Sequence, residues 1–218
     1  RPGRFCAVNI GTLRRGGRTW PLPFHAVAVL EAVGFSFEWE IVWHKPAGGR
    51  RSARNFYRSP WAGSFVPNNV TEYILVFRKD PHVEFAPRSQ LLADEENALV
   101  TDEVFRKEVA NSVWHVQPVT GGEDHPCPFP PELPLRLIAL LSLKGETVLD
   151  PFMGSGTTAR AARRLERRFV GYEAQPEFVA RARRAIESPL AARRSLVLGL
   201  ETRPAWPPTA AVPTGDLP

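Results

Sequence analysis

Among 218 residues there are only two cysteines, Cys6 and Cys127, far apart in the chain. Two distant thiols exclude a secreted scaffold stapled by disulfides and a CxxC metal site, and no metal is expected. They point instead to a reducing, cytoplasmic compartment. No stretch approaches the roughly 18 consecutive apolar residues of a membrane-spanning helix, so no membrane association is expected. The opening RPGRFCAVNIG lacks the charged start, apolar run and small-residue cleavage site of a secretory signal. No internal repeat is visible, and the first residue is Arg1 rather than methionine.

What is present suits a globular protein, with 43% hydrophobic and 23% charged residues. The length favours one domain with an appendage, large enough to need no disulfide or metal staple. Twenty-eight basic against 23 acidic residues give a net charge of +5. That surplus suits a polyanionic partner, although a GC-rich genome produces the same excess of arginine and the 22 prolines without any function behind them.

Along the chain, residues 4–11 read as a buried strand stopped by a turn, and residues 21–34 as a helix with Phe24, Val27, Leu30 and Val33 at helical spacing. Gly34 stands where a C-terminal cap belongs. Residues 37–43 and 71–78 are further strands, separated by a long aperiodic loop over 45–69. Residues 87–124 turn acidic and mixed and read as a peripheral insertion with one short helix near 102–110. From 125 onward the order is helix 132–142, strand 146–150, helix 157–167, strand 169–172 and helix 176–187. That alternation implies an α/β fold, a doubly wound and mostly parallel Rossmann-like sheet. Residues 188–218 form a proline-rich tail.

The most informative string is VLDPFMGSGTT, residues 148–158. A strand ends in an acid, a glycine turn follows, and a helix begins, so backbone can approach a ligand at a helix N-terminus. A phosphate-binding P-loop needs GxxxxGK[ST], and no lysine follows Gly156. A dinucleotide fingerprint needs GxGxxG, whereas here GSG runs into TTA. An S-adenosylmethionine site needs a short GxG turn with an acid after the next strand, and Glu173 stands about 20 residues on, placed to accept from ribose hydroxyls. A tight structural turn is the plainer alternative.

The run HPCPFPPELPLRLIALLSLKGETVLDPFMGSGTTARAARRLERRFVGYE, residues 125–173, resembles the amino-group DNA methyltransferases. With PGR..VNIG, IVWHKP and EYILVFRK upstream, it is similar to their circularly permuted (beta) class, in which the cofactor motifs come last. The resemblance covers roughly residues 1–187 and implies a methyltransferase domain there. It implies transfer of a methyl group from S-adenosylmethionine to the exocyclic nitrogen of adenine (N6) or cytosine (N4) in double-stranded DNA, within restriction-modification. It implies that Phe129, Pro130, Asp150, Pro151, Phe152, Gly154, Ser155, Gly156, Thr157 and Glu173 bind the cofactor, over the part running from 125 to 187. In that class target recognition begins within 45–69. There Lys45, Arg50, Arg51, Arg54 and Arg58 stand among Phe56, Tyr57 and Trp61, a pattern suited to phosphate contact and base stacking.

The family's catalytic motif, D/N/S-P-P-Y/F/W, has no counterpart upstream of the first strand, and Ser59-Pro60-Trp61 is only a partial echo within the recognition loop. The catalytic residues therefore stay unassigned. The expectation is a domain that is N-terminally incomplete and begins just after the catalytic loop. The competing reading is a non-catalytic or truncated module that binds S-adenosylmethionine and DNA without methyl transfer. Cys127 lacks the Pro-Cys-Gln context of cytosine-C5 enzymes, His125 is expected to pack near the cofactor, and His44 fits either the cleft or a structural bond. Arg160, Arg163, Arg164, Arg167, Arg181, Arg183 and Arg184 read as solvent faces of helices.

Overall fold

The segment TEYILVFRK alternates little because it is buried on both sides: Ile74, Leu75, Val76 and Phe77 are all in the core. In the computed structural model, which describes residues 1–46, 69–93, 97–99, 101–119 and 129–187, this segment is the second strand of a four-stranded sheet. The strands are β1 (Phe5–Ile10), β4 (Phe35–His44), β5 (Thr71–Lys79) and β6 (Val113–His115), in the order β1-β5-β4-β6. A short hairpin, β2 (Leu13–Arg15) with β3 (Arg18–Trp20), follows β1, and helix α1 (Leu22–Ala32) packs on β4 and β5. Gly34 takes φ +87 just beyond α1, as its capping position requires. Of the apolar residues spaced along α1, Val27 and Leu30 are half-buried while Phe24 and Val33 are exposed.

The sheet is mixed, not mostly parallel. Strand β5 runs antiparallel to both β1 and β4, and only β6 pairs with β4 in parallel. A second, two-stranded parallel sheet joins β7 (Thr147–Asp150) to β8 (Arg168–Gly171). The expected βαβα alternation therefore holds only in the C-terminal part.

Residues 87–124 do more than an insertion at the periphery would. They contain α2 (Arg88–Ala93), a single π turn (Phe105–Val109) and β6, which completes the main sheet. Trp114 and Val116 lie in the core, which no surrounding acidic residue foreshadows in the sequence. The Trp114 indole N–H donates to the Val109 carbonyl (3.0 Å), and the Trp43 indole N–H donates to that of Val116 (2.7 Å). Asp102 caps the turn by accepting from the Phe105 N–H (2.7 Å).

Helix α3 (Glu132–Leu141) joins the two sheets. Leu133 sits in the core with Ile41, Trp43, Ile74, Val76 and Trp114, flanked by Leu137, Leu140 and Leu141. On the opposite side of the helix, Leu135 and Ile138 pack on Ala161 and Ala162 of α4 (Thr157–Arg164), with Val148 and Phe169 alongside. Arg136, between these faces, is 2% exposed. Its guanidinium donates to Glu108 (3.0 Å) and Glu132 (2.6 Å) and lies 5.0 Å from the Trp114 ring centroid. A second link between the sheets is Arg4, whose guanidinium donates to Glu146 (2.6 Å) and stacks on Phe85 at 4.2 Å.

Because α3 serves both clusters, Leu133→Ala and Leu135→Ala should each cost about 2–5 kcal/mol, the usual range for truncating a buried leucine. Urea unfolding should stay a single transition in both variants. Two separate transitions in either one would show that the sheets unfold independently.

Candidate cofactor site

The site grows from the end of β7. Its ladder to β8 continues past Asp150, because the Tyr172 N–H donates to the Asp150 carbonyl (3.0 Å) and the Met153 N–H to that of Tyr172 (2.9 Å). The Asp150 carboxylate turns back and accepts from the Phe152 N–H at 3.0 Å, which fixes the first corner of the turn. Glu173, leaving β8, accepts from the Gly154 N–H with one oxygen and from the Gln175 N–H with the other, both at 2.9 Å. The acid thus braces the glycine turn directly. A carboxylate offers about four acceptor positions, so bracing the turn and holding a ribose are compatible.

The glycines have distinct reasons. Gly154 and Gly156 both adopt positive φ, +53 and +85. A Cβ on Gly156 would also lie 3.0 Å from the Cβ of Ala182 in α5 (Pro176–Glu187). A Cβ on Gly171 would fall 2.6 Å from Met153 Sδ and from the Phe169 ring. The turn is therefore pinned by helix and strand packing as much as it is opened toward a ligand. Gly156 is also the N-cap of α4, and no side chain caps it. The amides of the first turn, at the positive end of the helix dipole, are left to solvent or to a ligand with acceptor groups.

Of the residues expected to bind cofactor, the structure brings Asp150, Pro151, Phe152, Gly154, Ser155, Gly156, Thr157 and Glu173 into this one turn. Phe152 is 85% exposed, an unusual state for a phenyl ring, while Gly154 and Gly156 are buried. Phe129 is half-buried against the core of the main sheet and Pro130 is buried at the start of α3. Sequence reasoning missed Tyr172, which is 63% exposed beside the turn, and the open face made by the cross-strand pair Leu149 and Val170. The period-two pattern of FVGY, with Phe169 inward, was the available signal.

Lys45 is already engaged, ion-paired with Glu72 and lying 4.5 Å from the Trp43 ring centroid. Arg50, Arg51, Arg54 and Arg58, and likewise Ser59-Pro60-Trp61, His125 and Cys127, lie outside the described residues. Of the arginines read as solvent faces, Arg163 is exposed and also donates to the Ile186 carbonyl (2.8 Å), whereas Arg167 is half-buried and donates to the Ser142 carbonyl (2.6 Å). Burial lowers the Arg167 guanidinium from its ordinary value, opposed by Glu146 and Glu166. Burial also raises the thiol of Cys6, which disfavours its reactive thiolate form.

A parallel β7–β8 pair with an uncapped helix start and an acid bracing the glycine turn defines a protein built like a nucleoside-cofactor-binding α/β enzyme. The chain belongs to the DNA methylase family, whose profile matches residues 2–184. It is 34% identical over 187 residues to the Type II methyltransferase M.MjaI of Methanocaldococcus jannaschii, covering 79% of this chain and 57% of that protein. It is 30% identical to M.MthZI of Methanothermobacter thermautotrophicus, covering 81% and 52%. The chain thus spans little more than half the length of these relatives. Among solved structures it is similar to a candidate DNA modification methylase of Thermus thermophilus, complexed with S-adenosyl-L-methionine. That match has a TM-score of 0.64, 30% identity, and coverage of 85% of this chain and 69% of that one. The cytosine-N4-specific PvuII DNA methyltransferase shares the fold, with a TM-score of 0.66 at 18% identity over 92% and 70% of the two chains.

Gly156→Ala should lower stability through two additive sources, about 1–2 kcal/mol for a left-handed alanine and the squeeze against Ala182. A double-mutant cycle with Ala182→Gly, followed by thermal unfolding, separates them. A favourable coupling is expected, since removing the Ala182 methyl relieves only the second source. Strict additivity would show that the Ala182 methyl adds nothing, leaving the left-handed backbone and the Ala182 Cα, 3.2 Å from the added Cβ, as the cause.

Proposed function

We propose that this chain carries the cofactor-binding part of a site-specific DNA methyltransferase that moves a methyl group from S-adenosylmethionine to the exocyclic amino group of adenine (N6) or cytosine (N4). The observation that carries the reading is Glu173 braced against Gly154 at the uncapped start of α4, within a chain of the DNA methylase family. The motif order, with the glycine turn after the sheet it serves, supports the circularly permuted arrangement. The names of the matched relatives, Type II methyltransferases, favour an enzyme of restriction-modification over a non-catalytic module. A cytoplasmic location and a double-stranded DNA partner follow from that reading. Among the described residues no helix is long and apolar enough to cross a membrane.

The residues fit the cofactor. Glu173 has acceptor capacity for ribose hydroxyls, the α4 amides can meet acceptor groups, and the exposed Phe152 ring offers an apolar face to a purine. Asp150, Pro151, Ser155 and Thr157 shape the turn, and Phe129 and Pro130 are assigned to the methionine end. When bound, S-adenosylmethionine supplies an electrophilic methyl group on sulfur.

An exocyclic amine is a weak nucleophile because its lone pair is delocalised into the ring. Two acceptors for its N–H hydrogens and a ring to stack on the extruded base are what the catalytic tetrapeptide provides. That tetrapeptide does not occur in residues 1–218, so no residue of this chain is assigned to that step. The domain proper is assigned to 1–187, with 45–69 in target recognition.

Calorimetric binding of S-adenosylmethionine should be measurable for the chain and should fall sharply in Glu173→Ala. Undiminished affinity in that variant would remove Glu173 from the site.

Binding to mixed-sequence duplex DNA should weaken steeply with salt. Replacing Arg50, Arg51 and Arg54 together by glutamine should reduce the slope of log K against log salt by about 2–3 units. An unchanged slope would return the loop to solvent. With labelled cofactor on the same duplex, the 218-residue chain alone should incorporate no methyl. Incorporation that depends on Gly154 would place the missing acceptors within the chain.

A further inference from the structure

Strands β4 and β6 run parallel and in register, so Trp43 stands beside Trp114 and His44 beside His115. Both tryptophans point into the core, where their indole N–H groups are bonded. Alternation along a strand turns the two histidines to the opposite face. There His44 is half-buried and His115 exposed. Their Nδ1 atoms are 2.9 Å apart, with ring centroids 5.0 Å apart at an interplanar angle of 80°.

Two imidazole nitrogens that face each other can share one proton or one metal ion. We propose that His44 and His115 form a binding site for a divalent transition-metal ion that favours imidazole, namely Zn²⁺, Ni²⁺ or Cu²⁺, with both Nδ1 atoms as ligands and water completing the coordination. A zinc–nitrogen bond of about 2.0–2.1 Å sets two tetrahedral ligands roughly 3.3 Å apart. The observed 2.9 Å is about 0.4 Å short of that spacing, so the two rings must move slightly apart to admit the ion. Imidazole suits this class of ion, whereas calcium and magnesium select oxygen ligands.

The surroundings permit a cation. Lys45 is the nearest positive residue along the chain, but it lies on the Trp43 side of the sheet, ion-paired with Glu72. Among the described residues no third histidine, cysteine or carboxylate joins the pair, and water completes the coordination in this proposal. An ion there would tie the three-residue strand β6 to β4 at the end from which residues 45–46 and 116–119 leave the sheet. This inference is independent of the methyltransferase reading.

The test is calorimetric titration of the chain, carrying no histidine tag, with zinc chloride and then nickel chloride. A single saturable site is expected. His44→Gln and His115→Gln should each weaken it by at least the roughly 10–100-fold that loss of even an outer-shell partner costs. His82→Gln, at an exposed histidine elsewhere, should leave it unchanged. Saturating zinc should raise the Tm of the unsubstituted chain, a chelator should reverse the rise, and magnesium should not produce it. Absence of saturable binding, or a site that survives either substitution, overturns the proposal. Should His44→Gln fail to fold, the exposed His115→Gln decides alone.

Discussion

Helix α3 presents leucine on two opposite faces, and the geometry of the site follows from how it is clamped. A helix rotated about its axis would bury a different residue against each sheet, so something must fix the rotation. Arg136 does so. Its guanidinium is almost wholly buried between Glu108, Glu132 and the Trp114 ring. Glu132 lies on α3 itself and turns with it, so the external anchor is Glu108: a rotation that separates the buried guanidinium from Glu108 gives up that ion pair and is disfavoured. The pair need add little to stability to have this effect, since it acts by penalising the alternatives.

From that fixed helix the site is reached by a chain of small residues. Ala161 and Ala162 let α4 approach Leu135 and Ile138 closely, and Gly156 lets the start of α4 approach Ala182 of α5. Gly171 admits Met153 and Phe169 at the same level. With so little side chain in these contacts, the turn cannot drift, and a ligand meeting it has less ordering to impose. Glu173 adds the last constraint by holding the Gly154 amide from the β8 side. The turn is thus shaped by packing from behind and by a carboxylate from the side.

The basic residues divide along similar lines. Arg4, Arg136 and Arg167 direct their donors to part-buried carbonyls and carboxylates of the fold, and the exposed Arg163 ties to the Ile186 carbonyl at the surface. Lys45, nominally the first cation of the recognition loop, is drawn back to Glu72 and Trp43. Among these cations, Arg4, Arg136 and Lys45 are engaged with carboxylates of the fold. The cations assigned to DNA are the loop arginines beyond Lys45.

The sequence alone determined what depends on neighbours in the chain. The strand–glycine turn–helix from Val148 to Thr158, the acid at 173, the capping Gly34 and the span of the last helix were legible because local periodicity and turn chemistry set them. The strand 71–79 was legible as a strand, though its direction was not. Tertiary structure decided what depends on distant partners. It made the main sheet mixed, since strand direction is set by which edges pair. It drew Trp114 into the core from a stretch whose composition reads as surface, because three residues of β6 found the free edge of β4. It turned Glu173 onto Gly154, and it set the left-handed glycine at 156 against Ala182, a contact 26 residues along the chain that no spacing rule announces.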